Sequence, residues 1–120
     1  MSDLYSLLRR SLFIRLFIWM LPNTPFLLPI KRVRETDSLL AFHHPRPEYL
    51  FHVVFVPKKT IHSFADLAPA EPFVVDLIAV TQSLVAEYHL PAYRLIVNGG
   101  EYQEFPLLHF HLISESTIHA

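Results

Sequence analysis

The sequence predicts an α+β domain built on an antiparallel sheet. Three observations carry this: four short runs rich in β-branched, aromatic and other apolar residues, one long helical segment opened by a proline, and a composition suited to a packed core. Of the 120 residues, 52% are hydrophobic and 18% charged, which excludes a disordered chain. The length suits one domain. There is no cysteine, so disulfides and thiolate metal sites are excluded. Glycine occurs only at the adjacent positions Gly99 and Gly100. The chain therefore has neither a G-x-G-x-x-G fingerprint nor a P-loop.

Residues 1–21 predict an apolar helix. Leu12 to Leu21 is apolar except for Arg15, a run about half the ~20 residues a membrane span needs. Pro22, Pro25 and Pro29 stop it. Arg9 and Arg10 precede the run as in a signal peptide, but Arg15 and the lack of an A-x-A-like cleavage site count against one, so the expected location is cytoplasmic. Two uses of this helix stay open. It packs on the core or on a partner subunit, or it makes peripheral contact with an anionic membrane. Residues 1–34 carry a net charge of +5 and residues 35–120 one of −6. This asymmetry separates a basic apolar extension, 1–32, from the domain proper, 33–120.

Leu39–Phe42 is a short strand candidate, followed by a loop, His43–Pro47, whose prolines push their preceding residues away from helix. Phe51–Val56 is a strong strand. Pro72 suits the first turn of a helix running to about His89, with Val74, Leu77, Ile78, Leu84, Val85 and Tyr88 among its apolar positions. Arg94–Asn98 and Leu107–Ile113 are further strands, with the glycine pair in the turn between them.

His109 and His111 are the sharpest chemical feature. Two residues apart on a strand, they share a face with Leu107 and Ile113, while Phe110 and Leu112 face the core. His52 lies on the opposite face of its own strand from Phe51, Val53 and Phe55. Paired imidazoles supply a nucleophile and a proton donor near neutral pH. They also serve as hydrogen-bonded structural groups, or as metal ligands with His52 as third donor. Gly99 and Gly100 either form a plain hairpin turn or let successive amides cradle an anion. The acidic main domain has no basic-aromatic stripe, so no nucleic-acid binding is expected.

Several ordered motifs resemble the histidine triad (HIT) family of nucleotide-binding hydrolases and transferases. Leu107-Leu108-His109-Phe110-His111-Leu112-Ile113 is similar to that family's H-φ-H-φ-H-φ-φ, where φ is apolar, with Leu107 at the first histidine. Residues 35–43 resemble its acidic turn and L-A-F-H strand, and HVVFVPKKTI from His52 resembles its H-φ-φ-φ-φ-P-K-x-H-I strand end. Asn98, the glycines and Gln103 resemble its N-x-G…G-Q turn.

The resemblance implies a sheet of about five antiparallel strands and pairing of two subunits. It implies cleavage at the α-phosphate of a purine nucleotide, such as a nucleoside phosphoramidate, through a nucleotidyl-histidine, without a cofactor. His109 would be the nucleophile. His111 and Gln103 would hydrogen-bond phosphate or leaving group, and Asn98, Gly99 and Gly100 would hold the phosphate side. His52 would support the histidines, and Phe42 and His43 would line the nucleoside pocket. His44 stands where the family commonly has a ribose-binding aspartate, and Glu104 where a serine or threonine commonly meets the phosphate. Residues 1–32 do not resemble the family's usual N-terminal segment. A binding module without catalysis is the alternative, and a histidine metal-binding protein a further one.

Overall fold

A computed structural model describes residues 30–115. The expected N-terminal helix, 1–21, lies outside the described residues. Five strands form one sheet in the order β1-β2-β3-β5-β4, every neighbouring pair antiparallel. They are β1 (Arg32–Glu35), β2 (Leu39–His43), β3 (Phe51–Pro57), β4 (Arg94–Val97) and β5 (Phe110–Ser114). One helix, α1 (Pro72–Glu87), lies between β3 and β4 in the chain.

The central strand β3 is buried along its whole length, as its unbroken apolar run requires. Alternation divides its side chains and those of β2 between two cores. Leu39, Ala41, Phe51, Val53 and Phe55 pack with Phe73, Leu77, Val80 and Leu84 of α1. Leu40, Phe42, Val54 and Val56 gather on the opposite face with Leu107, flanked by Ile30 and Phe105.

β1 was not legible in the sequence, because three of its four residues are charged and only Val33 packs on the helix-side core. Such charges suit an edge strand, where they oppose pairing with other chains. Arg34 pairs with Glu87 near the end of α1. Thr36 and Ser38 in the following turn both donate to Asp76 at 2.6 Å, pinning that turn to the helix.

The helix begins at the expected proline but ends at Glu87 rather than near His89. Its buried stripe is Phe73, Leu77, Val80, Thr81 and Leu84, and Ile78 faces outward. The end is a Schellman turn. His89 donates to Ala86 O and Leu90 to Val85 O, with His89 at φ 51. Leu90 is buried just beyond, ahead of Pro91.

β5 begins at Phe110, three residues later than the expected Leu107. Leu107 and Leu108 lack ladder partners there, and the Leu108 amide bonds instead to Ile61 O at 2.9 Å. The side-chain alternation nevertheless runs through them. Leu108, Phe110 and Leu112 pack toward the helix, and Leu107 packs on the other face.

Candidate active site

The sheet face opposite the helix carries four histidines. His111 on β5 pairs in register with Val54 of β3, and His52 lies two residues before Val54 on the same face. His44 follows β2, and His109 immediately precedes β5. The rings form one cluster. His44 stacks on His52 with centroids 4.4 Å apart, and His52 and His111 centroids are 5.1 Å apart. His109 meets His111 edge-on at 5.0 Å. Phe105 and Tyr49 bound the cluster, edge-on to His109 and His52 respectively.

The hydrogen bonds determine which nitrogens carry protons. The Glu48 amide donates to His52 Nδ1 at 3.3 Å. A neutral His52 ring must then hold its hydrogen on Nε2, which donates to His111 Nδ1 at 2.9 Å. His111 in turn holds its hydrogen on Nε2. His109 has the opposite arrangement. Its Nδ1 faces Leu107 O at 2.8 Å, and only a protonated Nδ1 makes that bond, so in the neutral ring Nε2 keeps its lone pair. One ring thus offers a nucleophilic nitrogen and its neighbour an N–H donor.

Burial supports the neutral relay. It pushes His111 down to about 4, assisted by His109, His52 and His44. It pushes His52 down to about 4 as well, assisted by His44. Burial also lowers His44, against the opposing pull of Glu48. Both relay histidines are uncharged at neutral pH, as donation along the chain requires.

Two hollows meet at this cluster. A cleft of about 170 Å³ has apolar walls from Ile30, Phe42, Pro45, Val54, Val56 and Phe105. A cavity of about 460 Å³ includes Glu48, Tyr49, Asn98, Tyr102 and Glu104 in its lining. His44, His109, His111 and Phe105 border both.

The predicted site residues divide accordingly. Phe42, His44, His52, Asn98, His109 and His111 come together around these hollows. His43 does not. It pairs with Val53, and alternation turns it to the helix-side face. Gln103 is also off both linings, because its amide donates to His62 O at 2.6 Å and Phe105 O at 3.0 Å. It braces the loop that carries Phe105.

Gly99 and Gly100 line neither hollow. Gly99 is extended at φ −128, and Gly100 opens a short 3-10 turn, Gly100–Tyr102, at φ 59. Only Gly100 has a backbone reason to be glycine.

Glu48, Tyr49 and Phe105 were missed in the sequence. Glu48 and Tyr49 had one signal, their position on the proline-bounded loop between His44 and His52. The three-histidine metal site is corrected. Among the described residues, no group of three or more His, Asp or Glu side chains is placed to hold a metal. Both His52 nitrogens and His111 Nδ1 are already engaged in the relay. Among the described residues no helix is long and apolar enough to cross a membrane.

Comparison with known proteins bears on the family and the fold. The HIT domain family model matches residues 28–118. A 13.2 kDa HIT-like protein of Azospirillum brasilense is 31% identical over 93 residues, covering 72% of this chain and 76% of its own. The crystal structure of a HIT family hydrolase from Legionella pneumophila superposes with TM-score 0.72 at 24% identity, covering 82% of this chain and 92% of that one. A histidine triad protein from Clostridium difficile superposes at 0.69 with 29% identity, covering 82% and 87%. By the family model's match over residues 28–118 and the identity with the Azospirillum brasilense protein, this chain belongs to the HIT domain family.

Proposed function

We propose that this chain is a nucleotide hydrolase or nucleotidyl transferase acting at the α-phosphate of a purine nucleotide, with nucleoside phosphoramidates as its substrate class. The observation that carries this reading is the opposed hydrogen bonding of two adjacent rings: His109 Nδ1 lies 2.8 Å from Leu107 O, which in the neutral ring leaves a lone pair on Nε2, and His111 Nδ1 lies 2.9 Å from His52 Nε2, which puts the N–H of His111 on its Nε2. The apolar cleft beside Phe42 and Phe105 suits a flat base, and the phosphate falls between the two hollows, against both histidines.

In the proposed reaction the His109 Nε2 lone pair forms a bond to phosphorus. The P–N bond breaks, and its electron pair leaves on the amine, which takes a proton from solvent. His111 Nε2–H donates to a phosphoryl oxygen as charge builds there. Water then attacks phosphorus and releases its proton to solvent, and the P–Nε2 electron pair returns to the imidazole. No cofactor enters this scheme.

The test is turnover of adenosine phosphoramidate by the wild type and by His109→Ala, followed as release of AMP. The expected result is loss of at least a hundredfold in the variant. Equal rates overturn the nucleophile. Binding of AMP by calorimetry without turnover in the wild type would identify a nucleotide-binding module instead.

A homodimer with a continuous sheet belongs to the same proposal. The edge strand β4 supports it, since Leu95 is 41% exposed and neighbouring Tyr93 52% exposed, unusual for apolar side chains at a sheet edge. Light scattering tests it: a monomeric mass at micromolar concentration is the contrary result.

A further inference from the structure

We propose that Glu48 and Glu104 determine leaving-group specificity, selecting a leaving amine that carries a second, positive charge. The inference rests on the hydrolase reading above, and it concerns the side of the site away from the base.

The two hollows differ in charge. The smaller has no carboxylate, lysine or arginine among its described walls. The larger has two carboxylates, Glu48 and Glu104, and the phenols of Tyr49 and Tyr102, and it too has no lysine or arginine among its described walls. Neither carboxylate is in an ion pair among the described residues, where the pairs engage Glu35, Glu71 and Glu87. His52 and His111 give no compensating charge, because both are held neutral in the relay. Glu48 acts on the cluster directly, since its charge is felt at His44, which borders both hollows.

A nucleotide seated with its base in the apolar cleft and phosphorus at His109 has its leaving group in this negative cavity. Additional phosphates there meet two carboxylates and, among the described walls, no lysine or arginine. An amine with a distal ammonium group meets favourable charge and phenolic oxygens that accept its hydrogen bonds. The predicted preference is thus for a phosphoramidate whose leaving amine carries a distal cation over one whose leaving group is neutral or anionic at its far end.

Three adenosine phosphoramidates of similar length test this: those of cadaverine, pentylamine and aminovalerate, whose distal ends are cationic, neutral and anionic. In low salt, kcat/KM is expected to fall in that order, with about a tenfold span from first to last because both carboxylates are solvent-exposed. High salt compresses the span. In the Glu48→Gln/Glu104→Gln double variant the cadaverine-to-pentylamine ratio falls towards one. This internal ratio is insensitive to partial loss of folded protein.

Binding of the same three compounds to His109→Ala, by calorimetry, is expected to follow the same order. If the compounds bind in that order but the wild type turns none over, the hydrolase reading fails and the selectivity stands. If they are turned over without that order, or the order persists in the double variant, the selectivity is overturned and the hydrolase reading stands. If they are neither bound nor turned over, both are overturned.

Discussion

The ring of His109 takes its orientation from the main-chain carbonyl of Leu107, 2.8 Å from Nδ1. The side chain at position 107 has another task, packing with Leu40, Phe42, Val54 and Val56. Leu107 therefore sets the tautomer of the proposed nucleophile through its main-chain oxygen, an atom every amino acid possesses.

That separation of tasks is testable. Leu107→Ala is expected to cost about 2–5 kcal/mol of stability, the usual range for a buried leucine. Leu107→Met is expected to keep kcat for adenosine phosphoramidate within about threefold, since it conserves volume and carbonyl alike. Denaturant unfolding and steady-state kinetics measure the two effects. A large kcat loss in folded Leu107→Met would assign the side chain a direct part.

His52 is a positioning residue, acting through His111. His52→Leu removes the donor to His111 Nδ1 and is expected to lower kcat by on the order of tenfold or more, with a smaller change in KM. His52→Gln, whose amide both accepts and donates, is expected to recover part of the loss. The same rate for both variants, with intact folding by circular dichroism, would refute the relay.

The relay predicts a direction for stability with pH. His52 and His111 are lowered from 6.5 to about 4 in the native site. Above about 6.5 both are neutral in native and unfolded chains, and the native state keeps its full stability. Between 6.5 and 4 the unfolded chain takes up protons that the native site refuses, so stability falls as pH falls. His43 and His44 are shifted in the same direction. The melting temperature is expected to drop between about pH 7 and pH 5, less steeply in His52→Gln. A flat wild-type profile would contradict the buried neutral relay.

The adjacent glycines are expected to behave differently. Gly100 sits at φ 59, so Gly100→Ala should destabilise by about 1 kcal/mol. Gly99 is extended, and an added Cβ meets nothing within 4 Å, so Gly99→Ala should be near neutral. Paired melting curves decide this. A loss of AMP affinity in Gly99→Ala without loss of stability would instead restore the anion-cradle role.

At the end of α1 the opposite exchange should stabilise. His89 holds the left-handed position of a Schellman turn at φ 51, where glycine is the relaxed residue. His89→Gly is expected to gain up to about 1 kcal/mol, read as a rise of a few degrees in melting temperature. A drop would show that the histidine ring makes a compensating contact.

Much of this molecule was legible in its sequence because two periodicities dominate it. The all-buried strand β3, the proline-opened helix and the alternation that puts His109 and His111 on one face with Leu107 all follow from local pattern. Strand β1 did not, because three charged residues in four hide a strand whose stability comes from its neighbour β2. The hydrogen bonding of Gln103 was not legible either, since the carbonyls that it meets belong partly to His62, 41 residues away.

By itself, then, the sequence determined the types of the main elements other than β1, the core faces and the histidine pair. Tertiary structure alone decided the protonation of His111, because His52 and His111 come within hydrogen-bonding distance only when β3 and β5 are in register. It also decided that His44 joins the cluster and His43 does not, a choice of one residue set by the last position of β2. Local pattern chooses faces, but chemistry at a site depends on atoms a few ångströms apart that are distant in the chain, and only packing brings those together.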